Sequence, residues 1–81
     1  MSHIITLDQL QPRQAATVRQ VQTKDSLHQR LADLGLVEGT KVYCRLVAPG
    51  GSPAAYEFRG AVVALRRSDT RGILCCVEES S

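Results

Sequence analysis

At 81 residues the chain is one small domain, and a domain of this size buries only about 60–65% of its unfolded surface, too little for a deep enzyme pocket to form easily. Its 43% hydrophobic and 22% charged residues exclude a disordered chain, and ten basic against eight acidic residues, a balance of +2, require neither nucleic acid nor a membrane surface as partner. No apolar run approaches the ~18 residues of a membrane span, and MSHIITLDQL has no signal-peptide pattern; with an odd count of three cysteines, the chain is expected in the reducing cytoplasm.

Ile4 to Leu10 reads as an apolar-polar lead-in, where Thr6 or Asp8 can cap one helical turn limited by Pro12. Ala15 to Gln22 is β-branched and forms the first strand, with Val18 and Val21 toward the core. Their spacing of three breaks strict alternation and predicts a bulge or strand end near Gln20.

The most strongly patterned stretch is Leu27 to Gly39, LHQRLADLGLVEG. Leu27, Leu31 and Leu34 stand at i, i+4 and i+7, one face of a helix. Ser26 with Gln29 three residues on has the spacing of a capping box. Gly35 supplies a left-handed stop, with Leu36 folding back on Leu31. Val37-Glu38-Gly39-Thr40 then turns the chain into a second strand, Lys41 to Val47, with Val42, Cys44 and Leu46 on one face.

Ala48-Pro49-Gly50-Gly51-Ser52-Pro53 is dense in turn residues. Ala54 to Phe58 is a third strand with Tyr56 and Phe58 on one side, Gly60 a tight turn, and Ala61 to Leu65 a fourth strand. Ser68 to Gly72 is a polar turn or one helical turn capped by Ser68; Ile73 to Val77 is the last strand, and Glu78 to Ser81 should fray. About five strands and one short α-helix, inserted after the first strand, predict a mostly β fold: a small bent sheet closed into a barrel. The whole chain, 1–81, is a single domain with its core over about 5–77.

Three segments together carry a resemblance: RLADLGLVEGT, then VAP-x-G-x-P across Val47 to Pro53, then RG-x-x-x-ALRR-x-D across Arg59 to Asp69. The chain resembles the FeoA family, small proteins encoded with the ferrous iron transporter FeoB. The resemblance implies an SH3-like barrel, a fold shared with the C-terminal domain of iron-dependent repressors. It also implies a non-enzymatic role as a cytoplasmic accessory protein. Such a protein contacts the cytoplasmic part of FeoB, at the inner membrane but not inserted in it, and supports or regulates GTP-linked Fe(II) uptake. Fe(II) is then the partner's cargo, with no cofactor bound by this chain. The alternatives are a free-standing regulatory interaction domain related to those repressor domains, and a weak transition-metal-binding protein. Arg13 stands where the family's turn glycine is usual, which costs about 1 kcal/mol if that turn needs a positive φ. Gly50 and Ser52 replace an apolar residue and an Asp at the tip of the proline turn, and Thr70 stands where Ala is common.

Catalytic signatures are lacking: no phosphate-binding Gly-x-x-x-x-Gly-Lys loop is present, so GTP chemistry belongs to a partner. Cys44 and Cys75 continue apolar strand faces and read as core. Adjacent strand residues point to opposite faces, so Cys75 and Cys76 cannot easily share an ion; Cys76 is only a weak metal candidate. His28 reads as a surface residue, and His3 lies in a terminus expected to be mobile. Two partner-binding leads remain. One is a docking surface for acidic groups drawn from Arg59, Arg66, Arg67 and Arg71. The other is an apolar strip of Leu36 and Val37 beside Pro49, Gly50, Gly51 and Pro53, in a groove between the helix and the proline turn. Nucleic acid is not expected, because only Tyr43, Tyr56 and Phe58 could stack on bases and two of them face the core. The sequence leaves weak self-association open.

Overall fold

The computed structural model describes residues 2–78. Strand β1 spans Ser2–Thr6, β2 Ala15–Val21, β3 Lys41–Val47, β4 Ala54–Phe58, β5 Ala61–Leu65 and β6 Ile73–Glu78. Helix α1 spans Asp25–Leu34, α2 spans Arg67–Thr70, and a single 3-10 turn covers Leu7–Gln9. The six strands form one antiparallel sheet in the order β1-β6-β2-β3-β4-β5. The sheet stays open, so the barrel is loose and β1 and β5 are its edges.

The architecture matches the expected small β fold, with an additional strand. β1 lies in what reads as a lead-in, and His3, expected to be mobile, pairs with Val77 while Ile5 pairs with Cys75. Five residues carry too little pattern to announce a strand, and the pairing edge offered by β6 supplies the rest. The helix therefore follows the second strand, not the first. The turn after β1 is where a capping interaction does form, since Gln9 Oε1 accepts from the Thr6 N–H at 3.1 Å. Glu78, expected to fray, is instead the last residue of β6, and the rest of that expectation falls on 79–81, outside the described residues.

One apolar cluster fills the concave side: Leu7, Leu10, Val18, Leu31, Leu36, Val42, Tyr56, Phe58, Ile73 and Val77 are all buried in it. Ile73, Cys75 and Val77 alternate inward along β6, as read from the sequence. Val21 is half-buried against this cluster, while Ala16 is fully buried. The bulge expected near Gln20 is present as a register shift between Val18 and Gln20.

A second register shift, between Cys44 and Leu46, is not announced by the sequence. It turns Leu46 away from the face of Val42 and Cys44 and leaves it 71% exposed, where strict alternation would bury it.

Helix α1 starts two residues earlier than the Ser26 cap implies, with Lys24 at its N-cap and Asp25 in its first turn. The Ser26–Gln29 capping box does not form: Gln29 Nε2 donates along the helix to Asp33 Oδ1 at 2.9 Å, so it does not reach back. An Asp in the first turn still complements the positive helix end. Leu31 is buried and Leu27 half-buried, but Leu34 is exposed at the last turn.

The stop itself is as expected. Gly35 has φ +104°, its N–H donates to Ala32 O at 3.0 Å, and the Leu36 N–H donates to Leu31 O at 2.8 Å. Thr40, buried, clamps this stop: its hydroxyl donates to Gly35 O at 2.7 Å and accepts from the Val37 N–H at 3.2 Å.

Candidate interaction surface

The proline turn between β3 and β4 is built by two glycines at positive φ, Gly50 (+88°) and Gly51 (+91°). It closes on itself through Gly51 N–H to Ala48 O at 2.8 Å and Ala48 N–H to Pro53 O at 3.0 Å. Pro53 follows a cis peptide bond from Ser52. The turn is then fastened to α2. The Arg67 backbone N–H donates to Ser52 Oγ at 3.1 Å, and Arg67 Nη2 donates to Gly50 O at 3.4 Å. Ser52, distant in sequence, thus meets the first N–H of α2, in place of the Ser68 cap read from the sequence. Four residues singled out from the sequence, Gly50, Gly51, Pro53 and Arg67, come together here, with exposed Arg66 next to them.

Beside the turn the outer face of the sheet is apolar. Leu46, Val47, Pro49, Pro53, Ala55 and Ala64 line a shallow hollow of about 350 Å³. Leu46 is exposed and Val62, on the neighbouring edge strand, is 63% exposed, so large apolar side chains here face solvent. Isolated exposed apolar residues are ordinary on a protein surface; here several adjoin one another. Pattern reading misses this face because the bulge that exposes Leu46 is invisible to alternation.

Leu36 and Val37 do not belong to it. Leu36 is only 1% exposed, held in the core by the helix stop, so it cannot offer an apolar strip to a partner. Val37 is 42% exposed but lines a separate hollow with Arg19, Val21, His28 and Glu38. The groove expected between the helix and the proline turn is corrected accordingly: the proline-turn residues adjoin β3–β5 instead.

Charges surround this face unevenly. Arg59 and Gly60 stand at one end of β5 and Arg66 and Arg67 at the other, all but Gly60 cationic and all exposed. Arg45 is occupied by an ion pair with Glu57. Tyr43 lies under two cations, with Lys41 Nζ 5.7 Å and Arg45 Cζ 5.9 Å from its ring centroid, while Tyr56 and Phe58 are buried. Stacking platforms for bases are therefore engaged or enclosed.

The thiols lie elsewhere. Cys44 and Cys75 are fully buried; burial pushes the Cys44 thiol up and the Cys75 thiol up to about 12. Both are inert core residues under ordinary conditions. Cys76 is half-buried in a hollow with Thr17, Arg19 and Lys41 on β2 and β3. Among the described residues no three His, Cys, Asp or Glu side chains gather into a metal-holding group. No helix among them is long and apolar enough to cross a membrane.

Comparison with known proteins places this geometry. A model of the FeoA domain matches residues 5–76. A search of curated proteins finds no match. The solution structure of the FeoA protein from Chlorobium tepidum is 30% identical, covering 95% of this chain and 73% of that one, with a TM-score of 0.88. FeoA from Stenotrophomonas maltophilia, crystallised with zinc, is 31% identical over 88% of each chain at a TM-score of 0.78; it is described as a prokaryotic SH3 domain protein and offered as a ferrous iron transport activating factor. IdeR from T. acidophilum shares the fold at 17% identity and TM-score 0.79, over 93% of this chain and 34% of that one.

Proposed function

We propose, from the premise that this chain belongs to the FeoA family of ferrous-iron-transport-associated, SH3-like proteins, that it is a non-enzymatic accessory of a FeoB-type transporter. It acts by protein contact with the transporter's cytoplasmic part and is held at the cytoplasmic face of the inner membrane by that contact alone. The iron is the transporter's cargo, and no resident metal is assigned to this chain.

The observation that carries this reading is the apolar hollow of Leu46, Val47, Pro49 and Pro53, stiffened by Arg67 fastening the turn and rimmed by Arg66. A rigid apolar patch with a cationic rim suits a protein surface, with its energy in the apolar centre and its orientation set by the charges. The regulatory-domain alternative has the shared fold of IdeR behind it and no residue of this chain.

The deciding experiment is an amide-shift titration of the isotope-labelled protein with the cytoplasmic GTPase part of its cognate transporter. Shifts concentrated at 46–55 and at Arg66-Arg67 are expected. Saturating partner that leaves every amide unmoved overturns contact with this part of the transporter.

A further inference from the structure

The free edge of β5 is an unusual one. Natural edge strands are blunted by charges within the strand, by Pro or by a covering element. β5 reads Ala61-Val62-Val63-Ala64-Leu65, with none of these, and β4 is the strand it pairs with in the sheet. Among the described residues no backbone hydrogen bond joins its far side to another element.

The backbone groups on that side can be assigned. β4 and β5 are joined by the two-residue turn Arg59-Gly60, both at positive φ (53° and 80°), and Phe58 pairs with Ala61 across it. In such a turn the closing pair is hydrogen-bonded, and bonded pairs then alternate along the ladder. Phe58↔Ala61, Tyr56↔Val63 and Ala54↔Leu65 are therefore the bonded pairs. The N–H and C=O of Val62 and Ala64 turn outward. Their side chains also lie on the exposed sheet face, and Ala64 continues into the apolar hollow beside Leu46 and Pro53.

Charge decides the occupant. From Phe58 to Ser68 the chain carries Arg59, Arg66 and Arg67 and no acidic residue. A second copy pairing antiparallel on the same edge would bring the Arg66-Arg67 end of one chain to the Arg59 end of the other, like charge on like charge. A strand with carboxylates at both ends meets a cation at each end instead.

We infer that the edge of β5 accepts an extended protein segment with an alternating apolar middle and acidic ends, which adds as a further strand and seats its apolar side chains beside Val62 and Ala64. The inference rests on the proposed contact role and specifies its mode. Its test uses no transporter, so either can fail alone.

The probe is a short synthetic peptide of alternating valine and threonine between paired glutamates, with a lysine-ended version as control. Titrated into the labelled protein, the glutamate peptide is expected to shift the amides of Ala61–Leu65 and Arg66 and to slow hydrogen exchange at Val62 and Ala64. Ala64→Pro removes one outward N–H without touching the ladder to β4, and is expected to weaken binding about tenfold. Arg66→Glu, an exposed position, keeps the fold and is expected to weaken binding several-fold, so the proposal stays open to test even if the proline variant does not fold. Equal binding of the lysine-ended peptide, shifts confined to other elements, or undiminished binding by both variants overturns the proposal. So do concentration-dependent shifts of β5 without peptide, which make a second copy the occupant.

Discussion

The stem of Arg59 lies where a side chain on Gly35 would be: a Cβ built at Gly35 meets Arg59 Cγ at 2.8 Å and Arg59 Cβ at 3.3 Å. The β4–β5 turn is thereby pressed against the helix stop. Gly35→Val should be disfavoured twice, by a branched side chain at φ +104° and by the stem it displaces. A destabilisation of at least about 1 kcal/mol is expected in chemical denaturation. Arg59→Ala should lessen that loss, since it removes the closest contact, that with Cγ, and leaves the tighter-than-usual Cβ contact and the backbone strain. An unaltered midpoint for Gly35→Val would contradict the left-handed stop.

Arg13 holds φ +71° while its N–H donates to Cys44 O at 2.9 Å, so the strained conformation is tied to the sheet. The resemblance to the FeoA family marks this position as one where a turn glycine is usual, and the positive φ agrees. Arg13→Gly removes a strain of about 1 kcal/mol and adds back part of it as unfolded-chain entropy. A net stabilisation of less than about 1 kcal/mol is expected, with none for Arg13→Ala. Thermal midpoints of the two variants check it; a lower midpoint for the glycine variant would mean that the arginine side chain itself stabilises the turn.

What the sequence made legible follows from how local each signal is. The Gly35 stop, the inward alternation of Ile73, Cys75 and Val77, and the bulge after Val18 depend on neighbours a few residues away, and all three are present. The features it hid depend on distant chain. β1 exists because β6 offers it an edge, and Ser52 meets the first N–H of α2 across the fold. The candidate surface was half legible for the same reason. The proline turn and its arginines announce themselves, whereas Leu46 and Val62 become surface residues only through a bulge and an open sheet edge.

Leu31 and Leu46 test that difference directly. Leu31 is fully buried under the sheet, and Leu31→Ala should cost about 2–5 kcal/mol through lost transfer energy and the cavity left behind. Leu46→Ala removes a side chain already in water and should stay within about 0.5 kcal/mol of the parent. Urea unfolding of both variants separates the cases. A large loss from Leu46→Ala would place Leu46 back on the face of Val42 and Cys44.

Alkaline pH should loosen the fold through groups the sequence shows as ordinary core. Burial raises the Cys75 thiol from its usual value near 9 to about 12, and the Tyr56 hydroxyl from near 10 to about 12. Between those values the folded chain keeps protons that the unfolded chain has released, so stability must fall as pH rises. It is fully present below about pH 8.5 and declines through the interval up to about pH 12. Denaturant midpoints measured from neutral to alkaline pH should be flat and then descend. Cys75→Ala removes one of the two titrating groups; its midpoint starts lower because of the lost packing, but its descent should be shallower. A descent as steep as the parent's would exclude Cys75 as a source of the alkaline sensitivity and leave Tyr56 to account for it.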